Sequence, residues 1–129
     1  MFKCVKMLVG GENQPPVVYL EGTANELITE GEALTIVNGK LTKATGKPKY
    51  IAAKTQTGGI IPAFYVTPYA VFESTMSVVG TAFEVGTKLA LKADMLEVAD
   101  ASTTATGVAT VFEFVDGKAV GSKVNVIFE

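Results

Sequence analysis

Apolar and polar residues alternate along this chain in short runs that glycine, proline and asparagine keep interrupting. Residues 31–46, GEALTIVNGKLTKATG, show the unit: Leu34 and Ile36 share one face, Thr35 and Val37 the other, and beyond Asn38-Gly39 Leu41 alternates with Thr42. A period of two is that of half-buried strands, and Asn-Gly accepts the positive φ that a two-residue type I′ turn needs at both central positions, so a β-hairpin is predicted here. At the N-terminus Phe2 and Cys4 alternate with Lys3, and Val5 and Met7 with Lys6, which again reads as a strand. GGENQPP at 10–16 follows as a loop or short polyproline segment, making 1–16 a strand or arm. Over 17–31 the pattern predicts a short strand, a glycine turn and a second short strand ending at Gly31, and YIAAKT at 50–55 predicts another.

The block QTGGIIPAFYVTPYAVFEST at 56–75 carries Pro62 and Pro68, which cannot donate to a sheet ladder and are expected at strand starts, bulges or edges rather than in a buried central strand. Its aromatics suit either the core or an interface, and the core comes first in a small β domain. KADMLEVADAS at 92–102 has some helical spacing, but an internal comparison favours strands around a turn. GEALTIVNGKLTKA at 31–44 aligns without gaps on GTKLALKADMLEVA at 86–99, matching Gly31 with Gly86, Leu34 with Leu89, Leu41 with Leu96 and Ala44 with Ala99 at a constant offset of 55 residues. These are turn, inward and strand-end positions, so an internal strand-turn-strand duplication is expected. A last hairpin is predicted about Asp116-Gly117, its outgoing strand alternating Val124, Val126 and Phe128 with Asn125 and Ile127.

At 129 residues the chain fits one domain, all-β, a small barrel or sandwich with little helix. The longest apolar stretch, IIPAFYV at 60–66, is far short of the ~20 residues of a membrane helix. The N-terminus, broken by Lys3 and Lys6, does not resemble a secretory signal. Net charge is −2, and all 11 cationic side chains are scattered lysines; without arginine for bidentate phosphate or guanine contacts, nucleic acid is a poor partner. The 48% hydrophobic content leaves room for surface buried only against copies or a larger partner.

With no histidine the chain lacks the commonest general base, zinc ligand and nucleophile activator. The single Cys4 has no such partner and reads as structural. Asp94, Glu97 and Asp100 form the densest acidic cluster, which on a hairpin rim is a solvated face rather than a catalytic pair or calcium loop. LTKATGKP fails as a phosphate loop because Leu41 stands where glycine is needed and Pro48 follows Lys47. Gly10-Gly11 and Gly58-Gly59 lack the following helix of a dinucleotide fingerprint. The expectation is a protein without enzymatic activity, cofactor or metal.

The repeated pattern of glycine, apolar strand, turn and apolar strand ending in alanine, then an IAA or GVA strand, resembles the capsid decoration, or head-stabilising, proteins of tailed bacteriophages and their prophage relatives. EGEALTIVNGKLTKATGKPKYIAA at 30–53 and VGTKLALKADMLEVADASTTATGVA at 85–109 carry the resemblance. Gly107-Val108-Ala109 keeps the family's Gly-Ile/Val-Ala, whereas the first copy has Tyr50-Ile51-Ala52. The resemblance implies a small β protein made in the host cytoplasm that sits on the outer surface of the virion. There it would bind the major capsid protein as a homo-oligomer, a trimer by family likeness alone, and stabilise the shell by avidity. Candidate contacts are the N-terminal segment with Phe2, Pro15 and Pro16 and the aromatic block with Phe64, Tyr65, Tyr69 and Phe72. Two alternatives stand beside it: another phage structural module, such as a tail tube or head fibre, and a ligand-binding barrel whose pocket is lined by Tyr19, Tyr50, Tyr65 and Tyr69.

Overall fold

The computed structural model describes residues 1–10, 14–101 and 107–129, which hold eleven strands and no helix. In chain order these are β1 (Lys3–Met7), β2 (Val17–Glu21), β3 (Ala33–Val37), β4 (Lys40–Lys43), β5 (Tyr50–Ala52), β6 (Ile60–Tyr65), β7 (Ala70–Thr75), β8 (Lys88–Leu91), β9 (Val98–Ala99), β10 (Ala109–Phe114) and β11 (Lys123–Phe128). They form a five-stranded sheet, β2-β6-β5-β3-β4, and a six-stranded sheet, β1-β7-β11-β10-β8-β9, both antiparallel. The all-β expectation holds. The sheets stack in a sandwich-like arrangement and do not close into a barrel, although each curls until its hairpin meets the strand that opens the set. Single parallel bridges mark these meetings, Gly22 with Leu41 and Met76 with Val98.

With β1 set aside, the two sheets have one strand order: first, fifth, fourth, second and third strand of each set. The gapless internal alignment does not extend to residue-by-residue register. Asn38 (φ 52°) and Gly39 (φ 79°) make the predicted two-residue turn, with Leu34 opposite Lys43. The alignment would then set Leu89 opposite Val98, but Leu91 occupies that place. The turn between β8 and β9 takes residues 92–97, with Met95 at positive φ, and the longer turn moves the register by two. The expectation of strand rather than helix at 92–102 holds for the described part, and residues 102–106 lie outside it.

Three local expectations are corrected. Beyond the bridge at Gly22, residues 23–31 form no strand. Asp116-Gly117 is not a two-residue turn, because the connection from Phe114 to Lys123 is longer; Asp116 Oδ1 instead accepts the Lys123 N–H at 2.6 Å. Pro62 sits inside β6, which is flanked by both β2 and β5. Its carbonyl accepts from Ala53 N–H at 2.9 Å, so its nitrogen also faces β5, and the one bond it cannot return is to Ala53, just past the end of that strand at Ala52. The turn containing Pro68 does precede a strand, as expected.

The start of β3 and the end of β5 are buried on both faces. Leu34 and Ala52 join Ile28, Leu41, Ile61 and Ala63 in a core inside the curl of the first sheet. Ala33 and Ile51 point the other way, into a cluster shared with Phe72, Val111, Val126 and Phe128 of the second sheet. The phase break in the N-terminal alternation corresponds to a bulge between Cys4 and Lys6, where β1 pairs with β7.

Gly31 shows how tightly the N-terminus docks. At φ +79° it faces the chain start, and an added Cβ would overlap Met1 Cβ and lie 3.0 Å from the Phe2 backbone. Gly39 has the same φ with nothing within 4 Å. Gly39→Ala should cost about 1 kcal/mol of stability and Gly31→Ala about 3 kcal/mol, read from urea denaturation of the two variants.

Candidate functional site

A concavity lies at the mouth of the first sheet. Register places Tyr50 opposite Tyr65 across β5 and β6 and opposite Leu34 across β3. All three share one face of the sheet; Leu34 is buried there, and half-buried Tyr50 and exposed Tyr65 continue that face to the rim. Their rings meet edge to face, centroids 5.8 Å apart at 74°. Ile36, buried Pro48 and Val66 complete the wall of a groove of about 470 Å³, and Lys47 and Lys49 flank it. Neither lysine forms an ion pair among the described residues. An apolar floor with phenolic tips and two ammonium groups suits a neutral or anionic segment or small molecule. In the sequence the lysines flanking a proline in GKPK at 46–49 are the signal for this rim.

The candidate contacts separate. Phe2 is buried edge-on against Phe128, centroids 5.3 Å apart, and Phe72 packs on the same ring at 5.6 Å. Both therefore belong to the core of the chain itself. Pro15 is buried, Phe64 half-buried, and Pro16, Tyr65 and Tyr69 are exposed. Pro16 and Tyr65 are neighbours through a 2.8 Å bond from Tyr65 N–H to the Pro16 carbonyl. Tyr69 lies in the turn before β7, where its carbonyl accepts from Leu8 N–H at 2.7 Å. Of the four tyrosines expected around one pocket, the structure brings together Tyr50 and Tyr65. Tyr19, opposite Pro62, is on the other face of the sheet. The N-terminal segment docks along β7 through β1 rather than standing free, and residues 11–13 of its connecting loop lie outside the described part.

The titratable groups are tied into the framework. Cys4 is half-buried beside its own strand, and burial pushes its thiol up, away from the reactive thiolate. Asp94 and Glu97 share Lys92 at 3.6 and 3.3 Å, and Asp100 is exposed, so the acidic cluster is a paired rim as expected. Glu97 accepts from the Thr75 hydroxyl at 2.6 Å, which, with Lys92, lowers its pKa. Glu113, held by Asn125 and Lys6, is lowered as well. No group of three or more potential metal ligands occurs among the described residues.

Glu32 is the exception, and its place in an alternating run gave no sign of it. It is 1% exposed, with Oε1 accepting from Lys43 at 2.6 Å and Oε2 buried with no partner among the described residues. Burial raises its pKa more than the Lys43 bond lowers it. Between the unfolded-state value and this raised value the folded protein binds more protons, so Glu32's contribution to stability is full at low pH and declines as pH rises through the window. Glu32→Gln should abolish that decline. The stability of wild type relative to the variant should fall as pH rises through and above the ordinary carboxylate range, measured by urea denaturation at each pH, while the opposite slopes of Glu97 and Glu113 cancel in the difference.

No protein-family model matches the chain, and no curated protein matches it in sequence.

Proposed function

We propose that the chain is a non-enzymatic structural protein that decorates and stabilises the outer surface of a tailed-phage capsid. The observation that carries this reading is the placement of the two segments resembling head-stabilising proteins. The described parts of 30–53 and 85–109 supply β3-β4-β5 and β8-β9 with the start of β10, corresponding places in two sheets of one strand order. Such a body offers framework hairpins at corresponding places in its two sheets, and its partner is the major capsid protein. Exposed Tyr65 and Tyr69 and the groove beside Tyr65 are the contacts this reading uses. Added to assembled shells lacking an outer accessory protein, the chain should bind saturably, leave free capsid subunits unbound and raise the temperature at which shells rupture. Tyr65→Ala should weaken binding about tenfold in co-sedimentation. A chain that ignores every assembled shell would overturn the reading.

The same groove supports a second reading, a ligand-binding module, because its paired tyrosines and free lysines form a recess of about 470 Å³. Thermal stabilisation by an anionic metabolite, lost in Tyr50→Ala, would favour this reading over decoration.

A further inference from the structure

Charge is divided unevenly along this chain. Between Glu32 and Glu73 there is no aspartate or glutamate, whereas Lys40, Lys43, Lys47, Lys49 and Lys54 all fall there. That span supplies β3, β4, β5 and β6, four of the five strands of the first sheet. Carboxylates from outside it neutralise two of the lysines, Glu21 meeting Lys40 at 3.5 Å and Glu32 meeting Lys43 at 2.6 Å. Lys47, Lys49 and Lys54 have no such partner among the described residues. Two of these three stand at the Tyr50–Tyr65 groove.

The fold fixes the backbone that carries them. Lys49 N–H donates to the Leu34 carbonyl and the Lys49 carbonyl accepts from Val66 N–H, both at 2.9 Å, so this residue is stitched between β3 and the end of β6. Pro48, buried between exposed Lys47 and Lys49, sets φ in the middle of the turn. Two ammonium groups thus rise from a held turn beside the apolar wall of Ile36, Tyr50, Tyr65 and Val66. A contact made on such a support loses little conformational freedom. A basic occupant is repelled there, and a neutral one strips water from the lysines without replacing it, whereas carboxylates pair with both. The recess opens to solvent and leaves a small molecule partly uncovered; a segment carried by a larger protein is anchored outside it as well.

We propose that the groove receives an acidic segment of a partner protein, with carboxylates on Lys47 and Lys49 and an apolar side chain against Tyr50 and Tyr65. That the segment belongs to the capsid subunit rests on the decoration reading; the preference for an acidic segment does not. The apolar contact supplies the affinity, and the exposed ion pairs supply specificity and speed of encounter, so binding weakens as salt screens the lysines. Lys54 provides an internal control. It is exposed and unpaired among the described residues like the other two, but it follows the far end of β5 and does not line the groove.

The test titrates the isotope-labelled chain, followed by NMR, with a blocked hexapeptide that has two glutamates on either side of Leu-Phe, and with versions carrying glutamine or lysine in place of glutamate. The acidic peptide should shift the amide signals of Lys47, Lys49, Tyr50, Tyr65 and Val66 and bind about tenfold more tightly than the glutamine version, an advantage lost at high salt. Lys47→Glu and Lys49→Glu should each weaken it about fivefold or more, and Lys54→Glu, the same change of charge outside the groove, should not. Co-sedimentation with assembled shells should rank the three variants in the same order. Equal binding of the three peptides, signals shifting away from the groove, an affinity indifferent to salt, or Lys54→Glu as damaging as Lys49→Glu would each overturn the inference. Shells bound alike by wild type and both groove variants would overturn it while leaving decoration standing. A chain that takes the acidic peptide at the groove but no shell would support it and overturn decoration.

Discussion

Everything in this fold hangs on the junction at residues 31–33, where the first sheet is tied to both the N-terminal strand and the second sheet. Phe2 N–H donates to the Gly31 carbonyl at 2.9 Å, Gly31 N–H to Ala52 at 2.8 Å, and Ala33 N–H to Met95 at 2.9 Å. Three segments far apart in sequence thus meet within one turn of backbone. The meeting requires a glycine, because a side chain at 31 would occupy the space of Met1. It also explains the burial of Glu32, whose neighbours on both sides are fixed by these bonds. Its carboxylate is left in the interior with Lys43 as its one side-chain partner among the described residues. A buried charge with one oxygen unsatisfied destabilises the fold, and burial consequently raises its pKa.

What could be read from the sequence was whatever local sterics decide. Asn38-Gly39 specifies its turn from two residues, and the phase break between Phe2-Cys4 and Val5-Met7 coincides with the bulge at Cys4/Lys6. Asp116-Gly117 carries the same kind of signal, yet Asp116 is spent on the Lys123 N–H and the loop runs on to Ser122 before pairing begins. A dipeptide states what φ it tolerates, not where the partner strand starts. The groove was less legible still, because Tyr50 and Tyr65 meet through the pairing of β5 with β6, which no local pattern encodes. The same holds for Phe2 and Phe72: their aromatic character suits core and interface equally, and only tertiary packing on Phe128 decides between them.

The internal match was informative at the level of topology and misleading at that of register. Gly31 and Gly86 both have positive φ, and each precedes a hairpin whose first strand lies between its own return strand and the next strand in sequence. Those positions are constrained alike, so they look alike. The turns are not: two residues suffice after β3, whereas residues 92–97 follow β8, where Asp94 caps Leu96 N–H at 3.0 Å and Lys92 gathers the flanking carboxylates. Lengthening a hairpin turn shifts every cross-strand pair after it while leaving strand order untouched, which is why the order outlasts the register.

The same comparison isolates what the first sheet lacks. In the second sheet the N-terminal segment covers the opening strand, and Phe2 beneath it completes the aromatic cluster around Phe128. The chain has one N-terminus and two such strands. In the first sheet that side of the opening strand is met instead by its own hairpin, where Gly22 bridges Leu41 and Thr23 N–H donates to the Leu41 carbonyl at 2.9 Å. At the far end of β2 Glu21 is held by Lys40 of β4 at 3.5 Å, just as Met76 after β7 is bridged to Val98 of β9. Each sheet is thus closed at this end by its own hairpin, and only the second adds a covering strand, which is why the N-terminal residues are tied to Gly31 as well as to β7.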